Sequence, residues 1–177
     1  MNKDKKVYKL CPKLPDPFDC SKGIPNLLTD AHYYFKTEIL NASDLIYHNK
    51  KIELLKYINK LYPWEESFDH LVTKSYFDVR VFSEERMATL PWLKYILKHC
   101  VDSDCPYMNI YQEDENICIL CQKVFYYIIL KKKKRKKGYS LITAYPKTAK
   151  EYYNIATEKQ KELVKEQELV KERKLVR

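Results

Sequence analysis

Four short segments in the second half of the chain, "YMNIYQ", "NICILCQ", "VFYYIIL" and "YSLITAY", are rich in β-branched and aromatic residues and are separated by connectors too short for crossover helices. They predict four strands in an antiparallel meander after Pro106. Gly138 suits the bend that leads into the last of them. The first half has a different period. In "LLTDAHYYFKTEILNASDLIYHNKKIELLKYINKLYP", from Leu27, apolar residues recur every three or four positions, clearest at Ile52, Leu55 and Ile58 with Leu54 and Leu61 adjacent in phase. Two helices are predicted there, the first capped by Thr29 or Asp30 and the second ending before Pro63, which disfavours helix in the residue ahead of it. Phe68, Leu71 and Val72 form one short helical face. Ser83 is placed to cap a further helix with Arg86 in its first turn, and Pro91 either kinks that helix or opens another through "WLKYILKHC".

The tail, "EYYNIATEKQKELVKEQELVKERKLVR", is dense in helix formers. Its leucines at 163, 169 and 175 are six apart and do not share a face, so a charged helix is expected and a coiled coil is not. The predicted fold class is α+β: N-terminal helices packed on a four-stranded antiparallel sheet, with a charged C-terminal helix. The expected organisation is an irregular N-terminal segment over 1–26, a single α+β domain over 27–148, and the charged helix over 149–177.

A length of 177 residues accommodates one well-buried domain and an appendage. The formal charge of +9 is local: Lys131 to Lys137 contribute seven cations, the region from Lys150 onward has eight basic against six acidic residues, and the remainder is balanced. Such a lobe attracts a polyanion, RNA above all, and raises encounter rates. The same lysines also fit a solvated hairpin that discourages edge-to-edge pairing. No apolar run approaches the roughly 20 residues of a membrane span, and the N-terminus lacks a signal peptide's apolar core, so a cytoplasmic protein without a membrane partner is expected. Six cysteines then read as reduced thiols.

Two constellations offer chemistry. Cys100, Cys105, Cys118 and Cys121, with His99 adjacent, have the spacing of a zinc site, but Cys118 and Cys121 lie within one strand and point to opposite faces. Buried thiols are the better reading, and neither a metal nor a cofactor is expected. The second constellation suits metal-free cleavage of RNA, which needs a base for the 2′-hydroxyl, cations for the phosphorane and an acid for the 5′-oxygen. His70, Arg80 and Arg86 precede the sheet. Thr143 and Tyr145, two apart on the last strand, share a face, with Ile142 and Ala144 on the other. Taken singly, each has an ordinary alternative: Arg80 and Arg86 can pair with Asp78, Glu84 or Glu85, and His70 can be a surface histidine. No Gly-rich phosphate loop, serine nucleophile elbow or His-Glu-x-x-His motif occurs.

The order "FDVRVFSEERMATLPWLKYIL", then "VFYYIILKKKK", then "GYSLITAYP" resembles the phage-associated and toxin branch of the barnase, EndoU, colicin and RelE-like (BECR) nucleases, over roughly Trp64 to Pro146. The resemblance implies helices ahead of a four-stranded antiparallel sheet and metal-independent endoribonuclease activity, often on tRNA, leaving a 2′,3′-cyclic phosphate. It implies a toxin or phage-conflict effector, with an inhibitor or immunity protein as a further partner. It places Arg86 and Thr143 at the active site, with Arg80, His70 and Tyr145 as companions. Several branches carry an Arg-His pair where this chain has Arg86-Met87, which leaves His70, His32, Tyr145 or no residue as the base. Under the same resemblance the run Lys131, Lys132, Lys133, Lys134, Arg135, Lys136 and Lys137 lies beside the Thr143–Tyr145 face and grips flanking phosphates. The rival expectation is a non-catalytic nucleic-acid-binding protein that stacks bases on Tyr126 or Tyr127. An adaptor working through the terminal helix is a third.

Overall fold

The computed structural model describes residues 14–58, 63–77, 79–101, 105–134 and 138–175, with side chains through Glu162 in the last helix. Helix α1 (Ile24–Tyr34) starts earlier than the polar residues at 29 and 30 predict. Gly23, at φ +76°, is its N-cap, and Pro25 occupies the first turn, where a missing N–H is no loss. Thr29 instead donates its hydroxyl to Pro25 O, and Asp30 pairs with Lys22. Leu27, Ala31, Phe35 and Ile39 are all buried at four-residue steps. Such steps overshoot an α-helical turn by about 40° each. The chain takes up the drift by passing into a π-helical turn at Phe35–Leu40, whose wider winding keeps Ile39 on the core side.

The predicted second helix is replaced by a hairpin of β1 (Ile46–Tyr47) and β2 (Lys50–Glu53). His48 and Asn49, the two-residue loop between paired Tyr47 and Lys50, have φ of +45° and +59°. Two left-handed residues in succession make the turn whose twist matches a hairpin, and no helix passes through them. Burial agrees: Ile52 is in the core, whereas Leu55 is 43% and Ile58 65% exposed, so the three never share a buried face. Leu61 lies outside the described residues.

Helix α2 (Glu66–Val72) buries Phe68, Leu71 and Val72 as expected. It runs directly into a second hairpin that the sequence reading did not anticipate, β3 (Thr73–Tyr76) and β4 (Val79–Phe82), registered as Thr73↔Phe82, Lys74↔Val81, Ser75↔Arg80 and Tyr76↔Val79. Ser83 caps α3 (Glu84–Ala88), accepting from Arg86 N at 3.4 Å. Pro91 opens α4 (Leu90–His99) in its first turn and does not kink α3.

The meander forms as predicted, from β5 (Met108–Glu113), β6 (Asn116–Cys121), β7 (Tyr126–Lys132) and β8 (Tyr139–Pro146), each antiparallel to the next. The sheet nevertheless has six strands, in the order β1-β2-β8-β7-β6-β5, and is mixed. The expectation of four antiparallel strands is corrected by β2, which pairs parallel to β8 through Ile52↔Tyr139 and Glu53↔Ser140. That contact joins distant parts of the chain and leaves no local signal. Beyond Ser140, β8 has no strand partner on that side among the described residues, and α2 packs along the open edge. Buried side chains of α1, α2, α4 and one sheet face, including Ile119, Tyr126, Ile128, Leu141 and Ala144, form the core. The segment ahead of α1 is anchored by Phe18 N to Ala88 O at 2.9 Å and by Trp92 Nε1 to Pro15 O at 3.0 Å.

Residues 147–177 form a separate unit, essentially α5 (Ala149–Leu175). Thr148 and Glu151 cap each other reciprocally: Thr148 N donates to Glu151 Oε2 at 2.9 Å and Glu151 N to Thr148 Oγ1 at 3.2 Å. Among the described residues no helix is long and apolar enough to cross a membrane.

Gly138 fixes how closely β2 meets β8. It has φ +153°, and a Cβ there would stand 2.9 Å from Lys51 O. Gly138→Ala is expected to lower stability by about 1–2 kcal/mol, read as a fall in the urea midpoint without loss of slope.

Candidate functional site

Helix α2 is only seven residues long and ends without glycine, its C-cap Thr73 continuing in extended conformation into β3. Thr73 donates its own N–H and hydroxyl to Asp69 O and Ser83 N donates to Val72 O at 2.9 Å, which leaves His70 O to be met by donors from elsewhere in the chain. Arg86 supplies them from the first turn of α3: Nη1 donates to His70 O at 3.4 Å and to Thr73 O. Thr143, on the open edge of β8, donates its hydroxyl to the same His70 O at 3.5 Å. The guanidinium and the hydroxyl thus converge on one carbonyl. The Arg86 guanidinium also lies 4.1 Å from the centroid of the Tyr145 ring, a cation–π contact.

A β-bulge makes this arrangement possible. Ile129 pairs with Thr143 and Leu130 with Leu141, so Ile142 is the extra residue. Ile142 points outward while Leu141 and Ala144 are buried. The expectation that Ile142 and Ala144 share a face is thus corrected, and Thr143 and Tyr145 keep their common side because they follow the bulge.

The second cation arrives on the hairpin. Arg80 Nη1 forms an ion pair with Asp69 Oδ2, and Arg80 Nη2 lies 3.9 Å from Glu66 Oε1. Asp69 is fully buried, with Oδ1 unpartnered among the described residues. Arg80 Nη2 is 2.9 Å from His70 Nε2 and 3.3 Å from Nδ1. A nitrogen nearly equidistant from both ring nitrogens stacks on the imidazole face and does not meet one lone pair. Glu66 Oε1, one helical turn back, is 2.9 Å from Nε2. A carboxylate only accepts, so Nε2 carries the proton and the neutral ring's lone pair is on Nδ1.

The two arginines differ electrically. Arg80 is compensated by Asp69 and Glu66, whereas among the described residues Arg86 has no carboxylate within ion-pair distance. Burial pushes the Arg86 pKa down, against the raising influence of Tyr145, Tyr126, Glu85 and Tyr76. Arg86 Nε is buried without a partner among the described residues. A half-buried cation with unused N–H groups suits an anionic ligand. Of the alternative partners expected, neither Glu84 nor Glu85 pairs with an arginine among the described residues, Glu85 binding Lys74 at 3.3 Å, and Asp78 lies outside the described residues. Glu66 and Asp69 were legible only as the i,i+4 spacing of Glu66 and His70 in "ESFDH".

Other expectations fall elsewhere. His32, an alternative base, is held by Glu65 at 2.9 Å, with its ring 4.7 Å from Phe68. Burial works to raise the Glu65 carboxyl, but bonds from His32 and from its own backbone, with the charges of His32 and Lys36, bring it below its ordinary value of 4.5. Tyr126 and Tyr127 are buried, so base stacking on them is ruled out. Lys131 and Lys132 pair with Ser140 and Tyr139 at the start of β8, whereas Tyr145 pairs with Tyr127 near its end. Thr143 stands three residues along β8 from Ser140, roughly 10 Å, and Tyr145 five, so the described start of the basic run lies nearer to Thr143 than to Tyr145. Three of the run's four described members are engaged: Lys131 and Lys134 with Glu115 at 3.7 and 2.9 Å, and Lys133 with Glu53. Arg135, Lys136 and Lys137 lie outside the described residues. Cys121 packs in the core, while Cys118, on the other face, accepts the Tyr127 hydroxyl at 3.2 Å. Among the described residues no group of three or more His, Cys, Asp or Glu is arranged to hold a metal ion.

Comparison with known proteins finds no matching family model, no matching curated protein and no matching solved structure.

Because the folded Glu65 carboxyl titrates below 4.5, its stabilisation is whole above that value and is lost as pH falls toward the lowered folded pKa. Acid unfolding curves of Glu65→Gln are expected to start from lower stability at neutral pH and to fall less steeply below about pH 5.

Proposed function

We propose that this chain is an endoribonuclease that cleaves RNA by transesterification without using a metal. The reading rests on the convergence of Arg86 and Thr143 on His70 O, with Tyr145 under the guanidinium and Arg80 on the histidine ring. These are the residue types the chemistry requires, brought together from four separate elements. The resemblance of the same segments to BECR nucleases points the same way and suggests a toxin or phage-conflict role.

In the proposed reaction, His70 Nδ1 removes the 2′-hydroxyl proton and the 2′-oxygen attacks phosphorus. Charge on the non-bridging oxygens is held by the free N–H groups of Arg86, with Arg80 keeping the imidazole in place. The Tyr145 hydroxyl donates a proton to the departing 5′-oxygen, and Thr143 positions the phosphate. The products are a 2′,3′-cyclic phosphate and a 5′-hydroxyl, as proton balance requires. His70 is preferred over His32 as base because its backbone carbonyl receives Arg86 and Thr143 and its ring is held by Arg80, whereas the His32 ring is held by Glu65.

A second reading, RNA binding without chemistry, draws on one observation: Nη1 of Arg86 already serves backbone carbonyls, and Arg80 already serves Asp69. Incubation with total RNA in EDTA separates the two. Nuclease action yields fragments ending in cyclic phosphate, with Arg86→Ala and His70→Ala each slower by about 100-fold or more. Thr143→Ala is expected to be slower by about tenfold, the worth of one modest hydrogen bond. Thermal melts of each variant, and Arg86→Lys alongside, separate loss of the α2 cap from loss of catalysis. Intact RNA protected by the wild-type chain favours the second reading.

A further inference from the structure

The β3–β4 hairpin is anchored by one face only. Thr73, Ser75, Arg80 and Phe82 share that face, where Phe82 meets the Trp64 ring at 5.6 Å and Arg80 meets Asp69. The opposite face carries Lys74, Tyr76, Val79 and Val81, and the three apolar residues are 60%, 64% and 47% exposed. At the tip, Phe77 is fully exposed and holds φ +53°, a left-handed conformation that a bulky residue adopts at a cost and glycine adopts freely. Exposed rings on a strained turn contradict local preference without any packing gain, as functional positions do.

The open face turns away from Arg80 and His70, and its contact is with the first turn of α3, which carries Arg86. Lys74 pairs at 3.3 Å with Glu85, the neighbour of Arg86 in the first turn of α3. Tyr76 is within electrostatic reach of Arg86, whose pKa an ionised Tyr76 phenol would raise. We propose that Tyr76 and Phe77 form a stacking seat for an unpaired nucleobase next to a phosphate bound at Arg86, so that the preferred ligand is single-stranded RNA. The choice of RNA rests on the nuclease reading. The stacking geometry does not.

An aromatic surface beside a cation is the combination that holds single-stranded nucleic acid, because every base has a π face and every linkage a charge. A duplex keeps its bases stacked on one another and has none to offer the rings. A protein partner or a second copy fits less well, since four side chains fall far short of the roughly 20–30 residues a side of a stable interface. The net charge of +9 also favours a polyanion over self-association.

The test uses the full chain and a 2′-O-methyl RNA oligomer carrying 2-aminopurine, which cannot be cleaved, so binding is read apart from catalysis. Wild-type protein is expected to quench its fluorescence, and Tyr76→Ser and Phe77→Gly each to weaken binding about tenfold. An abasic oligomer is expected to bind wild type and both variants alike, and duplex RNA to bind less tightly than the single strand. Phe77→Gly is expected to raise the melting temperature while weakening binding, a pairing that a merely structural role for Phe77 does not produce. Variants that bind like wild type, a duplex bound as tightly as the single strand, or a wild-type dimer in sedimentation that Tyr76→Ser dissolves, would each overturn the proposal. Cleavage of unmodified RNA is followed in parallel. Binding that depends on Tyr76 and Phe77 without any cleavage removes the nuclease reading and leaves the seat, whereas cleavage with binding indifferent to both rings removes the seat alone.

Discussion

The carbonyls at the end of α2 are the constraint around which this end of the molecule is organised. A short helix presents its last four C=O groups to whatever lies beyond it, with the negative end of its dipole. Here the chain turns at once into β3, so no glycine cap closes the helix on itself. Thr73 and Ser83 serve Asp69 O and Val72 O, and the donors to His70 O come from α3, as the Arg86 guanidinium, and from β8, as the Thr143 hydroxyl. One helix terminus thereby ties three elements together and brings a cation and a hydroxyl to the backbone carbonyl of a histidine. Arg80 adds a second tie, from the hairpin to the buried Asp69.

What was legible in the sequence follows from how local each signal is. Strands β5 to β8 were readable because alternation and short connectors fix an antiparallel meander without reference to the rest of the chain. Ser83 and Pro91 were readable because a cap and a first-turn proline act within one helical turn. The β1–β2 hairpin was not, since Ile52, Leu55 and Ile58 imitate a helical face and the turn depends on left-handed backbone at His48 and Asn49. Register β2↔β8 and the bulge at Ile142 are long-range properties with no local mark. Of the site, the residue types were legible and their partners were not: Arg80 pairs with Asp69 and Glu66 of α2, to which the hairpin's register brings it.

The placement of charge separates two functions that the sequence had merged. The described lysines of the basic run sit at the start of β8, among Glu53 and Glu115, and the Arg86 group lies toward the other end of that strand. In the proposed reading, a local cation run attracts a long polyanion through counterion release. Arg86 is the reverse case: one half-buried charge without a carboxylate within ion-pair distance among the described residues. Its lower dielectric surroundings strengthen any interaction with an anion that reaches it.

Arg86 has to serve both the fold and the proposed chemistry, and its geometry divides those duties by atom. Nη1 faces the carbonyls of His70 and Thr73, the flat of the guanidinium faces Tyr145, and Nε is buried without a partner among the described residues. A guanidinium is a planar fork, so fixing one nitrogen and one face fixes the direction of the remaining N–H groups. Capping α2 therefore preorganises the cation, and little rotameric freedom is left to lose when an anion binds. Lysine in the same position would satisfy one carbonyl and keep its charge, yet it has no second, rigidly directed set of donors. A helix cap and the proposed phosphate clamp are compatible here because one rigid group can carry both.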